Sequence, residues 1–213
     1  MAKDKGAEGA LGKKFYKARK AEVEQRVRPK RYKHILGVAD TAEALAHAYD
    51  VDPDKARLAG LLHDWDKGMR DGEIRQRAFD LGIVEEVTPW VVEHMPEVLH
   101  GPTAAAALGR EFPEIPEDVL HAIKCHTTGA MEMSDLDKVL YVADAIEPSR
   151  QFDKADDLRA LVGEVELDEL FYQVYKFWTL TLIDHDVVLH PDTIGIWNNI
   201  AKGKSKARKE RYA

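Results

Sequence analysis

The stretch Leu61-Leu62-His63-Asp64-Trp65-Asp66-Lys67-Gly68 places an imidazole, two carboxylates and an ammonium directly after an apolar run. Neighbouring side chains on a regular helix point about 100° apart. His63 and Asp64 can therefore converge on one ion only where the helix ends and the backbone turns. Imidazole nitrogen together with carboxylate oxygen suits Zn, Fe, Mn or Co. Taken alone, the pair reads as a helix stopping in a polar loop. The other His and Asp positions change that reading.

His34 borders the apolar stripe of a helix predicted over about 32–49, formed by Ile35, Val38, Ala39, Ala42, Leu45, Ala46 and Tyr49. Asp52 as N-cap and Pro53 at the first helical position open a short helix that delivers His63 and Asp64 at its end. Ala56, Ala59 and Gly60 in that helix are small enough for close packing. His100 closes a stretch, 83–101, that reads as irregular, ahead of an alanine-rich helix from Thr103 to Phe112. Val119, Ala122, Ile123 and His126 share one stripe of a helix that begins near Pro116 and stops at Thr127-Thr128-Gly129. Ser134-Asp135-Leu136-Asp137 has the form of a capping box. The helix after it sets Leu136, Leu140 and Asp144 one turn apart and closes at Glu147-Pro148. A buried carboxylate such as Asp144 is costly unless it is paired or bound to a cation. One such residue has an ordinary explanation, as a hydrogen-bonded core histidine or a cap on a neighbouring helix. His34, His63 with Asp64, His126 and Asp144, on successive helices, are better explained by a shared cation.

Positioning these residues requires a helical bundle. Residues 13–26 read as a weakly apolar helix, 73–81 as a helix stopped by Gly82, and 167–183 as a strongly apolar one whose aromatics belong to the core. Ile194, Trp197 and Ile200 suggest a last short helix. There is no period-two alternation, no βαβ rhythm and no internal repeat. The expectation is an all-α, compact bundle of roughly eight to ten helices. One domain over 30–201 would be flanked by a basic, partly helical extension over 1–29 and a basic tail over 202–213. The first dozen residues are expected to fray.

The net charge of −7 hides an asymmetry. Residues 34–201 hold 13 basic and 33 acidic side chains, about −20, while the ends together carry about +13. The basic ends could fold back on the acidic body, bind nucleic acid or a membrane surface, or do nothing specific. Neither end has the aromatic interleaving of a single-strand binder, so nucleic acid is not the expected partner. No apolar run approaches the ~18 residues that span a bilayer, and the N-terminus shows no signal-peptide h-region. The one cysteine, Cys125, excludes an internal disulfide and fits a reducing cytoplasm. A buried, inert thiol is the preferred reading for it over a Cys/His nucleophile.

The order His34, His63-Asp64, Asp144 resembles the HD-domain metal-dependent phosphohydrolases, and His100 and His126 between them match the subgroup that binds two ions. The phrases Ala59-Gly60-Leu61-Leu62-His63-Asp64, Leu99-His100-Gly101, His126-Thr127-Thr128-Gly129 and Ala143-Asp144-Ala145-Ile146-Glu147-Pro148-Ser149-Arg150 resemble the YqeK family, as do Leu189-His190-Pro191-Asp192-Thr193 and Asn198. The resemblance covers about residues 30–200. It implies a small-molecule substrate, diadenosine tetraphosphate, split symmetrically into two ADP at a di-iron centre, with Mn or Co as other candidates. It also implies metal ligation by His34, His63, Asp64, His100, His126 and Asp144. A carboxylate has two oxygens to offer, so Asp64 would bridge the ions and a shared hydroxide would attack phosphorus in line. Lys67 and Arg150 would counter the acidic body and hold phosphate, with Lys67 also acting in catalysis. Each could equally be a surface ion pair. Thr127 and Thr128 would donate hydroxyl hydrogen bonds to phosphate or merely end the helix, with Thr127 the one assigned to substrate. Asp66 departs from the family pattern, where a small or apolar residue is expected. His47, His94, His121 and His185 have no partner in the pattern. The ligands alone also fit a nucleotidase, a cyclic-dinucleotide phosphodiesterase, a (p)ppGpp hydrolase or a non-catalytic nucleotide-binding metal protein. A homodimer is possible.

Overall fold

The computed structural model describes residues 9–211; the frayed segment expected at the N-terminus lies mostly outside them, as do the last two residues of the basic tail. Among the described residues there are twelve α-helices, one 3-10 turn and no strand. The helices are α1 (Lys13–Arg26), α2 (Pro29–Ala48), α3 (Pro53–Leu62), α4 (Asp71–Asp80), α5 (Val84–Val87), α6 (Pro89–His94), α7 (His100–Glu111), α8 (Glu117–Cys125), α9 (Asp135–Ile146), α10 (Ala155–Arg159), α11 (Leu167–Asp184) and α12 (Thr193–Arg211). None of them is long and apolar enough to cross a membrane.

Local chemistry sets the three helices that matter most. Pro29 opens α2 at its first position, where a missing N–H costs nothing, so the helix begins before the expected Tyr32. Asp52 caps α3, its Oδ1 accepting the Asp54 and Lys55 N–H groups at 3.0 and 3.1 Å. Ser134 and Asp137 form a reciprocal capping box that starts α9. Apolar stripes then drive assembly. The stripe of α2, from Ile35 to Ala46, is buried together with Leu58, Leu61 and Leu62 of α3, Val119 and Ile123 of α8, and Val139, Leu140 and Val142 of α9. In this core α2 packs on α3 and α9, and α8 on α3 and α9; α7 docks on α8, and α11 on α9.

The α2–α3 crossing depends on one glycine. A Cβ at Gly60 would lie 2.7 Å from Ala39 Cα and 2.9 Å from its nitrogen, contacts that backbone cannot relieve without the helices separating. Gly60→Ala is expected to cost about 1–3 kcal/mol of stability, a fall in Tm of roughly 3–10 °C. An unchanged melting curve would mean the crossing tolerates expansion.

The helix α1 is joined to this core. Val23 is buried, Phe15 meets Phe112 edge-on at 5.8 Å, and the Arg26 guanidinium lies 3.8 Å from the centre of the Trp65 ring. Two differences from expectation concern short or charged segments. The stretch expected to be irregular holds α5, α6 and a 3-10 turn, Pro96–Val98, and α7 starts at His100 rather than Thr103. Residues 91, 92, 95 and 99 bury with Ile74 in a small second core, which orders that stretch. The last helix is long, running through the basic segment to Arg211.

Candidate metal centre

The six predicted ligands come from five places in the chain. His34 is on α2 and Asp144 in the last turn of α9. His63 and His126 are the C-caps of α3 and α8, and His100 opens α7. Asp64 lies in the turn after α3, where Lys67 N–H bonds back to Asp64 O at 3.0 Å. That departure from helical geometry lets adjacent His63 and Asp64 face one point, as their spacing requires.

All six side chains converge. His34 Nε2 lies 3.0 Å from Asp144 Oδ1, out of hydrogen-bond alignment, and His63 Nε2 lies 3.3 Å from Asp64 Oδ2. His100 Nε2 is 3.4 Å from Asp64 Oδ1 and 3.1 Å from His126 Nε2. Three sets of potential donors form: His34, His63 and Asp64; His63, His126 and Asp144; and Asp64, His100 and His126. The two oxygens of Asp64 thus face different histidines.

The outer hydrogen bonds settle the histidine tautomers. Nδ1 of His63, His100 and His126 lies 2.7, 2.8 and 2.7 Å from the carbonyls of Gly60, Glu97 and Ile123. Nδ1 of His34 lies 2.9 Å from Glu147 Oε1. Carbonyl and carboxylate oxygens only accept, so each Nδ1 carries the hydrogen and each Nε2 turns a lone pair inward. Two such lone pairs then face each other across 3.1 Å between His100 and His126. The buried Nε2 atoms of His34 and His63 have no hydrogen-bond partner. Buried lone pairs beside two carboxylates are unfavourable unless a cation joins them, and the donor set fits one.

Protonation tells the same story. Burial, reinforced by His63, pushes His126 down to about 4, and burial with His126 and Lys67 holds His100 well below its ordinary value. Burial alone would raise Asp64, but His63 and His100 hold it far below the carboxylate range. Asp144 behaves likewise, brought down by His34, His63 and Arg150. Both carboxylates are charged and two imidazoles neutral, as ligation demands. His63 differs: against burial, Asp64 and Asp144 lift its pKa, so a proton competes for its inward nitrogen.

The predicted substrate residues are close by. Thr127 Oγ1 lies 3.3 and 3.2 Å from the Nε2 atoms of His100 and His126, whereas Thr128 turns away to donate to Gly129 O. Arg150 Nη2 meets Asp144 Oδ1 at 2.6 Å and its Nε donates to Asp144 O at 2.9 Å. Lys67 Nζ stands 3.4 Å from His100 Nδ1 and 3.4 Å from Glu97 O. Asp66 is buried away from the six, with Arg77 Nε 3.3 Å from its Oδ2. Two residues escaped the sequence reading. Arg31 Nη1 donates to Asp64 Oδ2 at 3.0 Å; its signal was its place one turn before His34. Glu147, read only as a helix end, orients His34 and is itself held by Ser149, through N–H at 2.8 Å and through Oγ.

The centre opens into a cavity of about 320 Å³. Lys67, His126, Asp144 and Arg150 line it together with an apolar wall of Tyr175, Trp178, Leu182, Val187 and Val188.

A helical bundle bringing His34, His63-Asp64 and Asp144 together in this order has the makeup of an HD domain, and the HD-domain family model matches residues 31–149. A Staphylococcus aureus protein named "Bis(5'-nucleosyl)-tetraphosphatase, symmetrical" is 37% identical over 179 residues, 83% of this chain and 89% of that protein. A Bacillus subtilis protein of the same name is 35% identical, covering 85% of this chain and 95% of its own length. A crystal structure from Clostridium acetobutylicum, described as a "predicted HD superfamily hydrolase involved in NAD metabolism", superposes with a TM-score of 0.81 at 35% identity, over 88% of this chain and 97% of that one. The chain belongs to the HD-domain family, in the group that contains the symmetrical bis(5'-nucleosyl)-tetraphosphatases.

Proposed function

We propose that this protein is a metal-dependent hydrolase that cleaves diadenosine tetraphosphate symmetrically into two ADP. The observation that carries the reading is the meeting of six inward donors beside a cavity that His126 and Asp144 line and whose other wall is apolar. His34, His63 and Asp144 would hold one divalent ion, His100 and His126 the other, and Asp64 would serve both through its two oxygens. Iron is the expected metal, with manganese or cobalt as alternatives. Bound there, such ions supply Lewis acidity toward phosphate and lower the pKa of water toward neutrality.

The remaining chemistry falls to the chain. A tetraphosphate must approach a body of about −20, so the cavity needs its own cations. Arg150, Arg31 and Lys67 surround the carboxylates and can turn toward phosphate oxygens, the arginines with a two-pronged grip. Burial lowers the pKa of Lys67, because its ammonium has already given up part of its hydration. Trp178, with Leu182, Val187 and Val188, offers a nucleoside an apolar surface. Thr127 can donate its hydroxyl to a phosphate oxygen. No separate proton donor to the departing ADP is required, because ADP is a stable leaving group.

Metal content and products measured on one sample test the reading. Two metal ions per chain and ADP as sole product from diadenosine tetraphosphate support it. AMP plus ATP would remove the symmetrical cut, and turnover only of other nucleotides in a small panel would replace the substrate. Arg150→Ala is expected to lower kcat/KM by about tenfold to a hundredfold, the worth of a charge-assisted hydrogen bond. Metal should be retained; its loss would show that Arg150 acts by holding Asp144 instead.

A further inference from the structure

We propose that His121, Cys125 and Asp137 form a second metal site, separate from the six-residue centre, that takes a thiophilic divalent cation such as Zn²⁺. His121 and Cys125 are four residues apart on α8 and so share a face of that helix. Asp137 stands in the first turn of α9, which packs on α8. One nitrogen, one sulfur and one oxygen from these three residues all lie within 4.8 Å of one another.

The hydrogen bonds leave a donor set unfinished. Asp137 is 1% exposed. Its Oδ2 accepts the Ser134 N–H at 2.7 Å and lies 3.0 Å from His121 Nδ1. Its Oδ1 is buried with no hydrogen-bond partner at all. A buried carboxylate oxygen without a donor is an unfavourable arrangement, and nothing in the capping box needs it. Cys125 is also buried, and its one polar contact is a weak one to Ala122 O at 3.8 Å. His121 is exposed, so an ion has a path in, and an ion at Nδ1 would send the hydrogen that otherwise faces Asp137 Oδ2 to Nε2.

The donor types select the ion. Sulfur, nitrogen and oxygen together suit Zn²⁺ rather than Mg²⁺ or Ca²⁺, and three protein ligands leave a fourth position for water. Binding forms a zinc–sulfur bond, and the thiol proton leaves to solvent, one proton per ion. The main centre has no sulfur donor and the chain has a single cysteine, so a metal–thiolate signal can arise only here.

The test uses Co²⁺ as the probe on protein whose main centre is already loaded. A thiolate-to-cobalt charge-transfer band in the near ultraviolet should grow to saturation at one further Co²⁺ per chain and vanish on adding Zn²⁺. Cys125→Ser should abolish the band, and His121→Ala and Asp137→Asn should weaken binding by at least about tenfold. His121→Ala changes an exposed residue, and its retained helicity and main-centre metal content would show that it folds. Absence of the band, or a band of undiminished affinity in both His121→Ala and Asp137→Asn, would overturn the proposal. Either result leaves the metal content of the main centre and the identity of its products to stand or fall separately.

Discussion

Asp64→Ala is expected to lose bound metal and to hydrolyse diadenosine tetraphosphate at least about 10³-fold more slowly than the unaltered protein. Asp64 is 2% exposed and faces His63 and His34 with Oδ2 and His100 with Oδ1. Its removal would take one charge from both halves of the donor set and leave four imidazole lone pairs with Asp144 alone. Arg31, which donates to the same carboxylate, would lose its partner and leave an uncompensated positive charge beside the donor set. Metal analysis after dialysis and a single-turnover assay check this directly. An Asp64→Ala protein that retains two ions and activity would sink the assignment. The same reasoning makes metal removal destabilising in the unaltered protein. An ion present at about 100 times its Kd contributes about 2.7 kcal/mol, so chelation should lower Tm by roughly 5–10 °C.

Glu147→Ala is expected to cost about 10–100-fold in metal affinity or activity although Glu147 touches no part of the donor set's interior. It is a positioning residue. Its Oε1 accepts the His34 Nδ1–H at 2.9 Å, and Ser149 holds the carboxylate in place. The space it occupies is reserved by Gly37, where a Cβ would come within 2.6 Å of Oε2. Without the carboxylate His34 can rotate or exchange its tautomer, turning an N–H where a lone pair is needed. Glu147→Gln keeps an amide oxygen able to accept from His34 and should recover much of the loss. Equal metal affinity in the Ala and Gln variants would show that the ring is held by packing alone.

The sequence made some of these features legible and hid others for identifiable reasons. His34, His126 and Asp144 stood out because each sits on or beside an apolar stripe, and α2, α3 and α9 were readable from those stripes and from Asp52, Pro53 and Ser134 at their starts. The helices α5, α6 and α10 run four to six residues, under two turns, too short for a 3.6-residue period to register. Two of them begin at non-glycine residues of positive φ, Thr88 and Lys154, which no turn propensity marks. The extent of α12 was hidden by its charge. Its polar half has no stripe to read, yet Lys204 pairs with Glu169 of α11 and lies 3.8 Å from the centre of the Tyr172 ring. Arg31 and Glu147 were hidden because pairing between charged side chains is set by tertiary packing. Arg31 looked like one more charge in a basic run, and only the fold brings Glu147 to His34, 113 residues away. Asp66, which broke the family pattern, has a local partner in Arg77 rather than a place among the ligands.

The wide spacing of the six donors along the chain would make a metal-loaded centre a fastener as well as a place for chemistry. An ion held by His34 and Asp144 would tie α2 to α9 and close a loop that includes α3 through α8. Closing so long a loop removes entropy from the unfolded chain, the advantage a disulfide gives a secreted protein. This chain has a single cysteine and cannot use that route. No short piece of it carries the whole donor set, so an unfolded chain would hold the ions far more weakly and binding would be coupled to folding. The rate at which a strong chelator strips tightly held metal would then approach the rate of global opening. Metal supply would set how long each molecule survives proteolysis as well as how fast it turns over.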